Sequence, residues 1–289
     1  MWDTSTGKLR STFQGPERIT NAVSVASTDG TILANEQNRQ IRLWKFRPNT
    51  AEPIITDTKS DSILKSKRVV MALSPDATRL AAAAPAAHKI YYPIWVWDTN
   101  TGELLFTLEA HTRWIQALVF SPDSKTLASG DIGNTIRLWN MDIGTSRATF
   151  KISTGNFHAL TFSPNGKLLA NGSNDGKVRL WDATVKKQEG LSTFGGYTPL
   201  LTLRGHKNRA SALAFSPDGK TLITAGPSGN IRAWDTTTGN ERFTCSGHFG
   251  NALGLAFSET DSTFTSVYGL TWNSVQLKAR REKRVSPRS

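Results

Sequence analysis

Three histidines, a set of Ser-Pro-Asp aspartates and one Gly-Lys-Thr tripeptide are the residues of this chain that could do chemistry. His111, His206 and His248 could hold a metal if they converged, and Asp76, Asp123 and Asp218 could serve acid–base catalysis if two carboxylates faced one substrate. Gly219-Lys220-Thr221 has the ending of a phosphate-binding loop. Each fails on spacing. The histidines and aspartates recur at one phase of a long repeat, which places them one per structural unit and keeps them apart. The phosphate loop requires a glycine five residues before Gly219, where Ala214 stands, and a following helix, where the pattern is that of a strand. Cys245 is the only cysteine, so neither an intramolecular disulfide nor a cysteine-based zinc site is expected. No nucleophile, base and oxyanion donor come together. The expectation is a protein that is not an enzyme, with no cofactor and no metal.

The repeat that scatters these residues is the strongest signal in the sequence. Residues 119–140 read VFSPDSKTLASGDIGNTIRLWN, residues 160–182 read LTFSPNGKLLANGSNDGKVRLWD, and residues 213–235 read LAFSPDGKTLITAGPSGNIRAWD. Trp2, Trp44, Trp97, Trp139, Trp181 and Trp234 are separated by 42, 53, 42, 42 and 53 residues. A fixed period of this length means one supersecondary unit copied along the chain, with insertions of 11 residues in two copies. Within each unit, short apolar runs such as Ile115–Phe120, Thr126–Ser129 and Thr135–Trp139 alternate with Gly, Pro, Asp and Asn turns. A fourth run, such as Glu103–Leu108, precedes the histidine. Four short antiparallel strands per unit follow from that pattern.

Gly-His before the unit and Trp-Asp at its end, with four strands between, resemble the WD40-repeat family of β-propellers, over about residues 1–280. The resemblance implies an all-β propeller of four-stranded blades, with strands a to d running outward from a central channel. On this count there are six blades. A lone strand d at Lys8–Phe13 would close the last blade, whose a and b are expected at Ala252–Phe257 and Thr263–Val267 and whose c is expected at Ser274–Leu277, with Trp272 in a loop. Met1-Trp2-Asp3 looks like the end of a further strand c, so a fragment of a seven-bladed or larger propeller is the alternative. The family also implies a hydrogen-bonded set in each blade: a His before a, a hydroxyl in b, an Asp in the b–c turn and the Trp of c. His111, Ser129 and Trp139 match it, as do His206, Thr224 and Trp234; the Asp position there holds Gly133 and Ser228. Asp175 and Trp181 match in the unit between these two, but Ser153 and Asn171 replace its His and hydroxyl. No blade is expected to have the full set, and these residues read as structural.

Composition sets the remaining bounds. In 289 residues, hydrophobic content is 38% and there are nine Trp, enough for a layered β core. No apolar stretch approaches the roughly 20 residues of a membrane helix, and residues 1–20 lack a secretory signal. Cytoplasmic location, no membrane, and a monomer or part of a larger multidomain chain are the expectations. The net charge is +12. Residues 281–289 are expected to be a basic disordered tail outside the propeller domain of 1–280. The sequon Asn171-Gly172-Ser173 falls inside a strand, which argues against its use.

With catalysis set aside, function should lie on the loops. The d–a and b–c loops share one end of every blade, the top. After the His position they carry Arg18, Lys65, Lys67, Arg113, Lys207 and Arg209, with Trp114 beside Arg113; the insertion near Ala86–Pro93 adds Tyr91 and Tyr92. The opposite end carries aspartates, among them Asp76, Asp98, Asp123, Asp182, Asp218 and Asp235, partly offset by Lys125, Lys167 and Lys220. A noncatalytic scaffold binding a protein partner, through an acidic segment on the basic top, is the leading expectation. Nucleic-acid binding through the basic face and tail is the alternative. A second insertion between Asp182 and Leu200 lies at the opposite end.

Overall fold

Alternation of apolar and polar residues at period two produces strands, and the Gly, Pro and Asp turns between them force each strand back against the last. The computed structural model describes residues 24–26, 32–37, 40–45, 54–57, 69–84, 91–152, 155, 157–185, 198–245, 252–257 and 264–268. These contain twenty-two strands and no helix. The first sheet holds β1 (Ser24–Ala26), β2 (Ile32–Gln37), β3 (Gln40–Lys45) and β4 (Ile54–Asp57). The second holds β5 (Val70–Leu73), β6 (Arg79–Ala83), β7 (Ile94–Asp98) and β8 (Leu104–Leu108). The third holds β9 (Ile115–Phe120), β10 (Thr126–Asp131), β11 (Thr135–Asn140) and β12 (Thr145–Lys151). The fourth holds β13 (Phe157–Phe162), β14 (Leu168–Ser173), β15 (Lys177–Asp182) and β16 (Leu201–Arg204). The fifth holds β17 (Ala212–Phe215), β18 (Thr221–Ala225), β19 (Ile231–Asp235) and β20 (Glu241–Cys245). A two-stranded ladder of β21 (Ala252–Phe257) and β22 (Phe264–Tyr268) follows.

Each four-stranded sheet is an antiparallel meander in sequence order, as the repeat requires, and the strand ends lie within about two residues of those read from the sequence. The described residues form two compact units. One runs to Phe157 and includes Val185; the other comprises His158–Thr184 and the residues from Thr198 onward. The expected closing strand Lys8–Phe13, the strand Ser274–Leu277, Trp272 and the basic tail lie outside the described residues.

The core sits between sheets. In the first unit, Ala81, Ala83, Ile94, Val96 and Leu108 of the second sheet pack against Ile115, Phe120, Leu127, Trp139 and Met141 of the third. In the second unit, Ala170, Val178, Leu180 and Leu203 pack against Ala210, Phe215, Leu222 and Trp234. The second strand of a sheet is therefore covered on both faces: all six residues of β10 are buried, and all but the first of β14. Double burial explains the small residues there, Ala128-Ser129-Gly130 and Ala170-Asn171-Gly172, since anything larger would push the neighbouring sheet away. Every strand c tryptophan pairs with the same position of strand b: Leu33 with Trp44, Leu80 with Trp97, Leu127 with Trp139, Leu169 with Trp181, and Leu222 with Trp234. One register, repeated five times, fixes which side chains meet.

The a–b turns share one polar clasp. Ser121 Oγ donates to Asp123 Oδ1 at 2.5 Å, the Lys125 amide donates to the same carboxylate at 3.1 Å, and the Thr126 amide donates to Ser121 Oγ at 2.9 Å. Ser216, Asp218, Lys220 and Thr221 repeat it at 2.6, 3.0 and 2.9 Å. The turn also needs one residue in the left-handed region, filled by Gly166 (φ 68°) and Gly219 (φ 70°) but by Ala77 (φ 59°) and Ser124 (φ 60°) elsewhere. An L side chain there costs roughly 1 kcal/mol relative to glycine. Ala77→Gly is accordingly expected to raise the urea midpoint, by about 1 kcal/mol of stability. An unchanged or lower midpoint would refute that reading of the turn.

Candidate functional site

The repeated polar residues meet at the top of the sheets, where strand b ends and the loop before strand a arrives. In the third sheet Ser129, fully buried, takes two donors' worth of contact through one oxygen. Trp139 Nε1 donates to Ser129 Oγ at 2.8 Å, and His111 Nε2 lies 2.6 Å from the same oxygen. The other imidazole nitrogen, His111 Nδ1, is 2.6 Å from Asp131 Oδ2. This sheet thus has a complete four-residue set, contrary to the expectation from Gly133. The carboxylate comes from two residues earlier, at the end of β10, where a bulge in the ladder to β9 between Gly130 and Asp131 turns it toward the imidazole. Its second oxygen accepts the amides of Gly133 at 2.9 Å and Thr135 at 3.1 Å, so one buried carboxylate holds both the histidine and the b–c turn. Burial holds the His111 pKa below its ordinary value, against the opposing pull of Asp131.

This trio of Ser, His and Asp is not a nucleophilic site. Ser129 is fully buried, its oxygen is committed to Trp139 and His111, and no substrate can reach it. Among the described residues no group of three or more His, Cys, Asp or Glu could hold a metal ion. No helix among them is long and apolar enough to cross a membrane.

The other sheets solve the same problem with different residues. In the fourth, Trp181 Nε1 donates to Asn171 Oδ1 at 2.7 Å, and Asn171 Nδ2 donates to Ser173 Oγ at 2.9 Å. Arg179 Nη1 reaches Ser173 Oγ at 3.3 Å, and its Nη2 pairs with Asp175 Oδ2 at 2.8 Å. Asp175 therefore closes the network on an arginine of the same sheet. Ser173 stands at the position of Asp131, two residues beyond the strand b polar group. In the fifth sheet Thr224 Oγ1 accepts from Trp234 Nε1 at 2.8 Å and contacts His206 Nε2 at 2.7 Å, but His206 Nδ1 is buried with no partner. The position of Asp131 is here Gly226, and a side chain cannot fit: a Cβ would lie 2.0 Å from the Arg209 carbonyl oxygen. In the second sheet the strand b position is Ala82, and Trp97 Nε1 is buried without an acceptor. Ser266 of β22 occupies the same position and is 1% exposed.

These networks fasten the loops that were expected to bind. Arg113 is exposed two residues after His111, and its stem lies over Gly133, where a Cβ would come within 2.7 Å of Arg113 Cγ. The Ile132 amide donates to the Trp114 carbonyl at 2.9 Å, and the Tyr92 amide donates to the His111 carbonyl at 2.8 Å. Tyr91 is 45% exposed, while Tyr92 is half-buried and packs into the core with Ala110 and Leu118, and Trp114 is half-buried. Tyr91, Arg113 and Trp114 thus share one corner of the first unit. In the second unit Lys207 is exposed and Arg209 half-buried, on a segment threaded closely past three glycines. A Cβ at Gly172 would meet the Ala210 carbonyl oxygen at 2.3 Å, and one at Gly176 the His206 carbonyl oxygen at 2.3 Å. Arg18, Lys65 and Lys67 lie outside the described residues. The sequence reading missed Asp131, Ser173 and Arg179; the signal for Asp131 was a lone acid in an otherwise small-residue strand.

Two consequences are measurable. Burial first, and the Arg232 guanidinium second, push the His206 pKa from 6.5 to about 4. The unfolded chain takes up a proton near pH 6.5 that the folded chain refuses until about pH 4. The His206 contribution to stability is therefore full above pH 6.5, is lost as the pH drops from 6.5 toward 4, by on the order of 3 kcal/mol, and changes no further below. Urea midpoints from pH 7 to 4 should show that slope, and His206→Gln should flatten it; equal slopes in both proteins would remove His206 as the cause. Ala82→Ser offers Trp97 its missing acceptor and is expected to add about 1 kcal/mol. A loss of stability on urea denaturation would show that the oxygen does not reach.

Comparison with known proteins agrees with this construction. A model of the WD domain, G-beta repeat, matches residues 102–140, 144–182 and 197–235. Each match runs from a strand d to the following strand c, β8 to β11, β12 to β15 and β16 to β19. The chain is 29% identical over 251 residues to Nuclear distribution protein PAC1 of Arthroderma benhamiae, covering 81% of this chain and 53% of that protein. It is 26% identical over 280 residues to Periodic tryptophan protein 2 of Arabidopsis thaliana, covering 96% of this chain and 24% of that protein. The chain spans about half the length of the PAC1 relative. With the tryptophan and its hydrogen-bonded partners at the same register in successive four-stranded sheets, and three matched repeats laid over them, residues 102–140, 144–182 and 197–235 are WD40 repeats.

Proposed function

We propose that this chain is a noncatalytic interaction scaffold that takes an acidic segment of a partner protein on its d–a and b–c loops. The observation that carries this reading is Arg113: exposed, seated on Gly133 by close packing, and two residues after His111, whose carbonyl accepts the amide of Tyr92, the neighbour of the exposed Tyr91. A guanidinium whose stem is already ordered loses little freedom on binding, and Arg with Tyr is the pairing enriched at binding hot spots. Lys207 and Arg209 of the second unit, and Arg18, Lys65, Lys67, Tyr92 and Trp114, are assigned to the same role. The three matched WD40 repeats support a protein-interaction role; the acidic segment and the loops it meets are the finer proposal.

Arg113→Glu combined with Arg209→Glu should leave the melting temperature within a few degrees and reduce the acidic proteins co-purifying with the tagged chain several-fold by quantitative mass spectrometry. Undiminished co-purification would sink the proposal. Salt-dependent retention of an oligonucleotide by the wild-type chain, abolished by deleting residues 278–289, would instead assign the basic residues to phosphate binding.

A further inference from the structure

The outermost strand of a four-stranded sheet has one backbone edge outside any ladder, and proteins ordinarily guard such edges with charge. β12 carries Arg147 and Lys151, β16 ends in Arg204, β20 contains Glu241 and Arg242, and β4 ends in Asp57. β8 reads Leu-Leu-Phe-Thr-Leu and has no charged residue. It closes its sheet, yet Leu104 and Leu105 are 41% and 42% exposed and Thr107 is exposed. The Phe106 ring stands against Gly144, where a Cβ would lie 2.4 Å from it, and the adjoining Ile143 is 64% exposed. Charge appears only at the two ends of the strand, as Glu103 and Glu109. Both are exposed, and neither carboxylate has an ion-pair partner among the described residues.

We propose that the outer edge of β8 accepts an extended segment of a partner protein as an added strand, apolar and β-branched within and basic at both ends. Main-chain hydrogen bonds to the outer edge of Leu104–Leu108 would supply the affinity, and the exposed Leu105 and Leu104 would receive alternate side chains. The glutamates set the specificity. They are six residues apart with one residue taken up by the bulge at Leu105, about 17 Å along the strand, so a long Lys or Arg side chain at each end of a seven-residue segment reaches one of them in either chain direction. A second copy of this chain is the poorer occupant. Antiparallel pairing of two β8 strands in matched register sets Glu103 of each copy opposite Glu109 of the other, and parallel pairing sets each glutamate opposite itself; like charges so placed are destabilising. The proposal uses none of the top-loop residues and stands apart from the function proposed for them.

The test uses fluorescein-labelled peptides and the full chain, followed by fluorescence anisotropy. KVTVTVK is expected to bind saturably, and EVTVTVE at least ten-fold more weakly. KVPVPVK, which lacks two backbone donors, should not bind. The double variant Glu103→Lys and Glu109→Lys, both exposed positions, should melt at the wild-type temperature and reverse the order, preferring EVTVTVE. No saturation by KVTVTVK at millimolar concentration, equal binding of the two charged peptides, or retention of the proline peptide would each overturn the proposal. So would dimerisation of the wild-type chain in sedimentation that KVTVTVK disrupts, which would give the edge to a second copy.

Discussion

A single buried oxygen on the second strand of the third, fourth and fifth sheets decides how those sheets are built. In the third sheet the Ser129 hydroxyl joins the indole of strand c to the imidazole that precedes strand a, so one atom ties three segments distant in sequence. Remove that oxygen, and two buried nitrogens lose their partner together, each at a cost of about 1–3 kcal/mol. In the third and fifth sheets the two ties hold the b–c register: a slip by one residue would turn the hydroxyl to the other face and leave both nitrogens unsatisfied.

The sheets are a graded series of this one device, and the grading bears on the loops. Complete in the third, the network holds the turn after β10 through Asp131 as well as the histidine, so the Arg113 loop is tied at both flanks. The fourth brings in Arg179, which reaches from strand c to Ser173 and Asp175. In the fifth, His206 is held at one nitrogen only, and close glycine packing takes over part of the task. The same backbone thus carries loops fastened by hydrogen bonds in one place and by steric fit in another. Sequence divergence at the top is tolerated because each substitution leaves some way to satisfy the tryptophan, the second sheet excepted.

The sheets themselves were legible because turn chemistry and period-two alternation are local, and a period of 42 residues averages out local exceptions. What escaped was spatial substitution. Counting along the motif led to Gly133, whereas a bulge swings Asp131 into the same space; a linear count cannot register that two positions can serve one point. Likewise Asn171 looked like a lost hydroxyl, yet its amide oxygen accepts the indole and its nitrogen passes the contact on to Ser173. Tyr91 and Tyr92 were indistinguishable in sequence, and only packing against the core between the second and third sheets separates the half-buried ring from the exposed one. The bare edge of β8 was written in the letters ELLFTLE, but its meaning depends on that strand being the last of its sheet.

Charge on this chain is asymmetric in availability more than in number. The aspartates at the bottom of the sheets are engaged close at hand: Asp123 by Ser121 and the Lys125 amide, Asp218 by Ser216 and the Lys220 amide, Asp98 by the amides of Asn100 and Thr101. The Ser216 hydroxyl and the Lys220 amide hold the Asp218 carboxyl below the usual carboxylate range. A carboxylate so solvated by its own turn gives up those bonds if it turns to a partner, so it is a poor ligand despite its exposure. Among the described residues the Arg113 and Lys207 side chains carry no such local engagement, nor do the carboxylates of Glu103 and Glu109. Uncommitted charge, as distinct from formal charge, is what a binding partner meets first, and a top loop in each unit and the two ends of one strand carry it.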